Sequence, residues 1–342
     1  MSTKVAINGF GRIGRLTFRQ ILSLRDNLEV VAINDIGSLD NLAYLLRHDS
    51  VYAPPEDNIE VTDNTLTWGD CDVRFLQMRD PAQLPWGEMG VDTVIEASGK
   101  FTNRVDAAKH LEAGARRVII TAPAEAVDIT ICMGVNEDKY DPAVHTVISN
   151  ASCTTNCLAP VAKVLDEEFG IVEGFLTTVH ALTSSQGIVD IPHKHWRRGR
   201  SGAANIVPTT TGATKAVAET MPQLRGKING LAMRVPVITG SIIDFVANTE
   251  RTVDEEIVNE AFQKHAQSER MRGILGISSD ELVSSDISGS TYSAMVDANS
   301  TMAINGHTVK VLAWYDNEWG YSRRVVDLTE YASQKAQMRE AA

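Results

Sequence analysis

The stretch SNASCTTNC, at residues 149–157, has the residue types and spacing best suited to chemistry in this chain. A strand-like run at residues 145–149 ends there, and a helix-like run at residues 158–169 begins just after it. Cys153 is therefore expected near a helix N-terminus, where unpaired backbone N–H groups and the helix dipole favour a thiolate. The small polar neighbours leave room for a ligand. Taken alone, the stretch allows a catalytic or a structural thiol.

A thiol nucleophile needs a base or a cation nearby, and imidazole is the commonest base. His180 lies in a strand-like run at residues 171–182. A lone histidine on an apolar strand is usually a core residue, so that interpretation competes with the catalytic one. Arg234 lies in a second apolar run, residues 227–237. Its charge there needs either an internal carboxylate or a bound anion.

A long segment with little periodicity, residues 183–210, carries the densest basic cluster of the chain, PHKHWRRGR at residues 192–200. Loops of this length inside a compact chain are usually functional or disordered. A basic surface run is usually just solvated. Next to Ser- and Thr-rich turns, however, such a cluster is also suited to binding phosphate or carboxylate.

The N-terminal region reads as a strand followed by GFGRIG at residues 9–14 and a helix over residues 13–24. Gly9 permits the tight turn, Gly11 lets the backbone approach a pyrophosphate, and Gly14 lets the helix pack on the strand. The phosphates would lie at the helix N-terminus. This context predicts dinucleotide binding, although a glycine-rich turn that binds nothing has the same local pattern.

A carboxylate supports the same prediction. Asp35 follows a second strand, residues 28–34, and stands 21 positions after Gly14, where it can accept hydrogen bonds from the adenosine ribose. A 2′-phosphate would be repelled there by the like charge. Residues 36–37 supply no cation beside it, which favours NAD over NADP.

Apolar strands that alternate with helices predict a parallel sheet covered on both faces. The predicted strands lie at residues 4–8, 28–34, 91–96, 116–121, 129–133 and 145–149, with a helix at 103–113. Residues 59–78 read instead as an antiparallel addition. Ser98 and Thr121 follow two of the strands and would line the cofactor crevice, unless they serve ordinary turns.

The second half reads as α+β with a largely antiparallel sheet. Helices are predicted at residues 213–221, 253–267 and 320–338, and strands at 171–182, 227–237, 241–249, 300–304 and 308–315. Asn305-Gly306 marks the turn of a hairpin. The predicted fold class is therefore a Rossmann-type α/β dinucleotide-binding domain plus an α+β catalytic domain.

The composition excludes several classes of protein. A net charge of −12 argues against nucleic acid or an anionic membrane as a general partner, and leaves room for local basic patches. Four cysteines in 342 residues do not form a disulfide framework, which favours a reducing compartment. The first four residues lead directly into a strand, so no signal peptide is expected, and no apolar run approaches about 18 residues. No metal site is expected, and the localisation expected is cytoplasmic.

A nicotinamide cofactor, a cysteine at a helix N-terminus, a histidine and an anion site together suit aldehyde oxidation through a thioester. Backbone N–H of Cys153 and an imidazolium would hold the oxyanion. Either water or inorganic phosphate could then accept the acyl group. Two anion sites would favour phosphate.

The chain resembles the phosphorylating glyceraldehyde-3-phosphate dehydrogenases over nearly its whole length. The motifs that carry the resemblance are NGFGRIGR at 8–15, SNASCTTN at 149–156, TVH at 178–180, RR at 197–198, PTTTGA at 208–213, RVP at 234–236 and WYDNEWGY at 314–321. The second and the last are highly specific.

The resemblance implies a role for each matching residue. It makes Cys153 the nucleophile and His180 its base. The residues implied to bind NAD are Gly9, Gly11, Arg12, Ile13, Gly14, Asp35, Arg79, Ser98, Thr121 and Asn317. Thr183 and Arg234 would bind the substrate phosphate. Inorganic phosphate would be bound by Ser152, Thr154, Thr211 and Gly212, with Arg198 nearby.

The resemblance also implies an assembly and a division into domains. It predicts a homotetramer in which the S-shaped loop, residues 183–210, reaches a neighbouring subunit's cofactor. The predicted domains are residues 1–152 plus 318–342 for NAD and residues 153–317 for catalysis.

Departures from the family pattern concern the loop. They are Ser184 and Ser185 in place of Asn-Asp, and Gly199, Ser201 and Gly202 around Arg200 in place of Ala-Arg-Ala-Ala. These departures mean that the sequence does not determine how rigid the loop is or which subunit contacts it makes. Ile191-Pro192 agrees with NAD specificity, whereas Gly37 resembles dual-specificity members.

Two rival functions remain open at this point. A homologous erythrose-4-phosphate dehydrogenase would hydrolyse the thioester and lack parts of the acceptor-phosphate site, yet Thr211-Gly212 is intact. A non-enzymatic dinucleotide-binding protein would not need Cys153 and His180 together.

Overall fold

The computed structural model describes residues 2–24 and 27–341, so the terminal residues of the predicted first domain, Met1 and Ala342, lie outside it. The chain divides into two compact units. The first comprises Met1–Ile131, Glu137–Ala151 and Ser322–Ala342, and the second comprises Cys132–Asn136 and Ser152–Tyr321.

A nine-stranded sheet forms the centre of the first unit. Its strands are β1 (Thr3–Asn8), β2 (Leu28–Asn34), β3 (Ile59–Thr62), β4 (Thr65–Trp68), β5 (Cys71–Leu76), β6 (Thr93–Glu96), β7 (Arg117–Ile120), β8 (Ile129–Thr130) and β9 (Val147–Ser149). They are ordered β3-β4-β5-β2-β1-β6-β7-β9-β8. The helices of this unit are α1 (Arg12–Leu24), α2 (Leu39–Arg47), α3 (Trp86–Met89), α4 (Arg104–Ala107) and α5 (Lys109–Glu112).

The topology confirms the Rossmann-type prediction. β1 pairs in parallel with β2 on one side and β6 on the other, while β4 pairs antiparallel with both β3 and β5. The apolar residues of β1, such as Val5 and Ile7, are fully buried, as expected for a central parallel strand covered on both faces.

The helix predicted at residues 103–113 is two short helices, α4 and α5. Asn103 caps the first by accepting a hydrogen bond from Asp106 N–H. The break falls at Ala108, whose carbonyl accepts from Leu111 N–H, three residues on. Such i→i+3 bonds tighten a helical turn and misalign the next one, which periodicity alone does not detect.

A mostly antiparallel eight-stranded sheet forms the second unit. Its strands are β10 (Ile171–His180), β11 (Val207–Thr210), β12 (Ile228–Arg234), β13 (Ser241–Thr249), β14 (Leu275–Ser278), β15 (Ala294–Asp297), β16 (Met302–Ile304) and β17 (Thr308–Tyr315). The helices α6 (Cys153–Phe169), α7 (Ala213–Thr220) and α8 (Glu255–Gln267) belong to this unit, and the terminal helix α9 (Trp319–Glu340) leads from it into the first. Short 3₁₀ helices lie at Pro81–Gln83, Glu137–Lys139, Trp196–Gly199, Pro222–Leu224, Ser284–Ile287 and Ala298–Ser300.

The second sheet has one buried and one partly exposed face. Burial alternates along β13 and β17 with the period of two typical of a half-covered sheet. The predicted hairpin is confirmed between β16 and β17. Asn305 and Gly306 at its turn have φ values of 56° and 68°, the left-handed conformations that a two-residue hairpin turn requires.

No helix within residues 2–24 and 27–341 has the length and apolar character needed to cross a membrane.

A glycine pair in the first turn after β1 gives a test of the packing. A Cβ on Gly14 would lie 2.1 Å from the carbonyl oxygen of Gly9, whereas a Cβ on Gly11 meets nothing within 4 Å. We therefore expect Gly14→Ala to lower the free energy of unfolding by about 1–3 kcal/mol, because the helix must move away from the strand. Gly11→Ala is the matched control and should lose much less stability in denaturant titrations. Equal losses would contradict this assignment.

Candidate active site

A cavity of about 220 Å³ opens at the carboxyl ends of β1, β2 and β6 in the first unit. Its walls include the predicted residues Gly9, Gly11, Asp35, Arg79 and Ser98. This is the edge at which parallel α/β sheets bind ligands. A Cβ on Gly9 would lie 2.4 Å from Ser98 N, so the close approach of the two loops requires glycine there.

Asp35 is held in a fixed orientation at this cavity. One carboxylate oxygen accepts from Phe10 N–H at 2.6 Å, and the other accepts from Gly37 N–H at 2.7 Å. Each oxygen keeps a second lone pair for a ligand hydroxyl. The glycine turn, the open space over Gly11 and the fixed carboxylate are the features that a dinucleotide needs.

The other residues predicted to bind NAD lie at separate positions. Arg12 forms an ion pair with Asp49 at 2.7 Å and lies over the ring of Tyr52. Thr121 follows β7 and donates to the carbonyl of Glu96 at 3.2 Å. Asn317 belongs to the second unit, where its amide oxygen accepts from Ser241 Oγ at 2.8 Å. Ile13 and Gly14 lie in the first turn of α1.

A buried carboxylate below the cofactor cavity was missed by the sequence analysis. Glu96, only 1% exposed, accepts from Asn8 Nδ2, Ser98 N–H and the imidazole Nε2 of His110. Trp86 Nε1–H donates to Nδ1 of the same ring, so the ring proton lies on Nε2, facing the carboxylate. The network fixes the backbone at Ser98. An acid ending an apolar strand was the available signal, because such a charge needs partners.

The predicted nucleophile begins α6 in the second unit. Ser152 is the N-cap, and its Oγ accepts from Thr155 N–H at 3.1 Å. The thiol of Cys153 is therefore held in the first turn, with Sγ 3.4 Å from His180 Nε2. The helix extends five residues further toward the N-terminus than the apolar pattern predicted, since the capping serine, not hydrophobic periodicity, determines where it starts.

Parallel strand pairing positions the predicted base and a predicted phosphate ligand beside this thiol. β10 and β12 run in register and place His180 opposite Arg234 at their ends. Arg234 Nη1 lies 2.6 Å from His180 Nδ1 and donates to the carbonyl of Ala181 at 3.1 Å. The same carbonyl lies 2.8 Å from His180 Nδ1. A proton on Nδ1, donated to the carbonyl of Ala181, leaves Nε2 able to accept from the thiol, whereas a bond donated by Arg234 would place the ring proton on Nε2.

Burial controls the protonation of both groups. Desolvation first, and the charge of Arg234 second, lower the pKa of His180 to about 3, so the ring is neutral at pH 7 and its nitrogen can accept a proton. Burial raises the pKa of Cys153 above its usual value, although Arg234 and hydrogen bonds to Thr154 oppose the shift. Desolvation therefore opposes the thiolate that the helix N-terminus alone favours.

The predicted anion contacts cluster around two guanidinium groups. Arg198 Nε donates to Thr209 Oγ1 at 2.6 Å, and its Nη2 donates to the carbonyl of Thr210 at 3.1 Å. Arg198 also lowers the pKa of Arg234 by charge repulsion, after the larger effect of burial. Neither group has an ion-pair partner among the residues described. Two cations near each other without an intervening carboxylate suit a bound anion.

The hydroxyls predicted to bind phosphate have partners of their own. Thr183 Oγ1 lies 2.8 Å from Ser185 Oγ, and Thr211 Oγ1 accepts from Ala213 N–H beside Gly212, the N-cap of α7. Thr154 Oγ1 lies 2.9 Å from the hydroxyl of Tyr315. No group of three or more acidic, His or Cys side chains within the described ranges is arranged to hold a metal ion.

Tyr315 is a second residue that the sequence analysis left without a role. Its buried hydroxyl lies within hydrogen-bond distance of Thr154 Oγ1 and Thr178 Oγ1. It thereby connects the first turn of α6 to β10, two residues before His180. Burial strongly raises the pKa of this hydroxyl, so it stays protonated and can donate.

We expect Tyr315→Phe to lower the free energy of unfolding by about 1–3 kcal/mol, because it removes the partner of two buried hydroxyls. Urea titration measures the change. Tyr44→Phe is the matched control, since its side chain is 55% exposed, and it should change the stability by less than about 0.5 kcal/mol. A loss no larger than the control's would mean that the hydroxyl of Tyr315 does not contribute.

Comparisons with known proteins agree with these features. A family model described as the NAD binding domain of glyceraldehyde 3-phosphate dehydrogenase matches residues 3–104, and one described as its C-terminal domain matches residues 152–317. The glyceraldehyde-3-phosphate dehydrogenase of Geobacillus stearothermophilus is 56% identical over 98% of this chain and 99% of the relative. That of Streptomyces coelicolor is 54% identical over 97% and 98%, and enzyme 1 of Bacillus subtilis is 54% identical over 98% and 99%.

Proposed function

The chain belongs to the glyceraldehyde-3-phosphate dehydrogenase family, as its motifs predict, and we propose from this that it catalyses the reversible, NAD-dependent oxidative phosphorylation of D-glyceraldehyde 3-phosphate to 1,3-bisphosphoglycerate. The observation that carries the proposal is the thiol of Cys153 at a helix N-terminus, 3.4 Å from His180 Nε2. The two guanidinium groups of Arg198 and Arg234 support it, because substrate and co-substrate are both phosphate anions.

The cofactor of this reaction is NAD. Gly9, Gly11 and Asp35 fit this cofactor. A side chain at Gly9 would collide with the next loop, and the carboxylate of Asp35 has free lone pairs for ribose hydroxyls. Arg79 and Ser98 also line this cavity. When bound, NAD supplies the hydride acceptor. We assign Arg12, Ile13 and Gly14 to the adenosine half of NAD and its pyrophosphate. Thr121 and Asn317 would contact the rest of the cofactor.

The first step is formation of a hemithioacetal. Neutral His180, with its ring proton on Nδ1 facing the carbonyl of Ala181, accepts the proton of Cys153 through Nε2, and the sulfur attacks the aldehyde carbon as its proton leaves. The protonated ring and the backbone N–H of Cys153 then hold the oxyanion. Because burial lowers the pKa of His180 to about 3, the imidazolium readily gives its proton to the oxyanion, which yields the hemithioacetal hydroxyl and a neutral ring.

The second half of the reaction produces and consumes a thioester. His180 takes the hydroxyl proton of the hemithioacetal as hydride leaves the carbon, and Cys153 is left acylated. Inorganic phosphate then attacks the thioester carbonyl, the bond from carbon to Sγ breaks, and the leaving sulfur takes the proton held by His180. In this scheme Arg234 and Thr183 bind the substrate phosphate, and Ser152, Thr154, Thr211 and Gly212, with Arg198, bind the attacking phosphate.

The domain boundaries follow the same division of work. We assign NAD binding to residues 1–152 with 318–342, and the thiol chemistry to residues 153–317. We propose that the protein acts in the cytoplasm. Its four cysteines are free thiols, and such thiols persist in reducing compartments.

Replacing the nucleophile tests the mechanism. Cys153→Ala should abolish phosphate-dependent NADH formation, a loss of at least about 10³-fold, while NAD affinity stays within about twofold of wild type. Cys157→Ala is the matched control four residues further along the same helix. Its thiol is fully buried and contacts the carbonyl of Ala313, so activity per folded molecule should remain.

The assay is run with and without inorganic phosphate. Oxidation of glyceraldehyde 3-phosphate that ignores phosphate would exclude phosphorolysis and indicate hydrolysis, as in the erythrose-4-phosphate rival. Activity that survives Cys153→Ala would contradict the thioester mechanism, and the absence of any turnover in the wild type would favour a non-enzymatic dinucleotide-binding protein.

We also propose that the chain forms a homotetramer. The partly exposed face of the second sheet carries large apolar side chains, and Phe175 is 69% exposed there. Leu231 on the neighbouring strand is 40% exposed, and Met302 and Ile304 on β16 are 54% and 62% exposed. A patch of this kind marks an interface between proteins. Family membership favours a second copy of this chain as the protein that covers the patch.

Sedimentation velocity tests the assembly. Wild-type protein should sediment with the mass of four chains, and Phe175→Asp should shift it toward smaller species, because it places a charge in an apolar interface. Val105→Asp, at a side chain 77% exposed in the first unit, is the control and should leave the mass unchanged. A monomeric wild type, or an unaltered Phe175→Asp tetramer, would refute this face as the contact.

A further inference from the structure

A second cavity of the first unit, about 290 Å³ in volume, has strongly basic walls. It lies where β7 begins, at the edge of the sheet opposite the carboxyl ends that line the cofactor cavity. The ionisable residues that line it are Arg116, Arg117, Tyr140, His145, Arg339 and Glu340. The catalytic scheme uses none of them.

Arg117 is the central residue of this cavity. It is the first residue of β7 and only 8% exposed. Its Nη1 makes two long contacts, 3.4 Å to Thr93 Oγ1 and 3.3 Å to Ser333 Oγ. No carboxylate lies within ion-pair distance of this guanidinium in the part of the chain that the structure describes. A buried cation without a counter-charge is costly, and an anion in the cavity would remove that cost.

The single acid on the cavity wall does not neutralise Arg117. Glu340 accepts from Arg116 at 2.8 Å, and Asp92 lies 3.6 Å from the same arginine. Arg116 is therefore balanced by local carboxylates. Arg339 forms no ion pair within the described residues, so two guanidinium groups, those of Arg117 and Arg339, are left to attract an anion.

Two further side chains can donate hydrogen bonds to that anion. His145 Nδ1 accepts from Asp141 N–H at 3.0 Å, which puts the proton of the neutral ring on Nε2. Tyr140 is buried, and desolvation raises the pKa of its hydroxyl, with the charge of Arg117 acting in the opposite direction. Both groups are donors at pH 7. Guanidinium, hydroxyl and imidazole N–H groups together are suited to recognise phosphoryl oxygens.

We propose that this cavity is a second anion-binding site, separate from the catalytic centre, for a small molecule carrying phosphate groups. The volume is at the lower end of the range for small-molecule pockets and admits more than one phosphate group. A multiply charged ligand is favoured, because it could compensate the buried charge of Arg117 while its other oxygens bind the exposed guanidinium of Arg339. The site belongs to the first unit alone and requires no residue from the second.

Tripolyphosphate is the probe for the test, applied to the full chain at constant ionic strength with sodium chloride as balance. Isothermal titration calorimetry should give an affinity that Arg117→Met weakens at least about tenfold and Arg339→Gln weakens less. The catalytic anion site contributes equally to every variant, so the differences report this cavity. Arg104→Met is the matched control: it removes an exposed arginine paired with Asp128 and should leave the affinity unchanged.

Thermal unfolding supplies an independent readout. Saturating tripolyphosphate should raise the wild-type midpoint by about 2–4 °C more than it raises that of Arg117→Met. Without polyanion, Arg117→Met should unfold at or above the wild-type midpoint, since it removes an uncompensated buried charge. Equal affinities for wild type, Arg117→Met and Arg339→Gln would overturn the proposal. If Arg117→Met does not fold, the comparison of Arg339→Gln with Arg104→Met decides it.

Discussion

The parallel pairing of β10 with β12 is the constraint on which the catalytic centre depends. Seven consecutive residue pairs in register end with His180 opposite Arg234, so neither side chain can move along its strand without shifting the whole sheet. Tyr315 connects the adjacent helix to the same strand through two threonine hydroxyls. The distance between thiol and imidazole is thus determined by backbone pairing and buried hydrogen bonds, which are far less adaptable than loops.

Desolvation gives this rigid arrangement its chemical character. A helix N-terminus and a nearby guanidinium both favour a thiolate, yet burial raises the pKa of Cys153 and lowers that of His180. Desolvation therefore opposes charge on both members of the pair, and a substrate that accepts the electron pair of the sulfur would favour the proton transfer.

Local patterns were sufficient wherever the required conformation is encoded by neighbouring residues. The glycine turn with Asp35, the hairpin at Asn305-Gly306 and the alternation of strands and helices could all be predicted. The predicted roles of Cys153 and His180 came from whole motifs, because the two residues are 27 positions apart and the chain between them carries no local signal of their approach. The partners of Glu96, up to 88 positions away, depend on strand order and register, which periodicity does not determine.

A buried charge can be recognised from the sequence, whereas the groups that compensate it are seen only in the structure. Arg234 was singled out because an arginine in an apolar strand needs a partner, and the structure gives it histidine, a carbonyl and a repelling neighbour, Arg198, but no carboxylate within the described residues. The same reasoning applies to Arg117, which begins an apolar strand and is equally without a carboxylate. In a folded protein, the free-energy cost of such a buried charge has to be offset either by a bound ligand or by other interactions. An arginine without a carboxylate partner marks both the proposed catalytic anion site and the cavity at Arg117. The same charge argument therefore predicts a second bound anion in this chain.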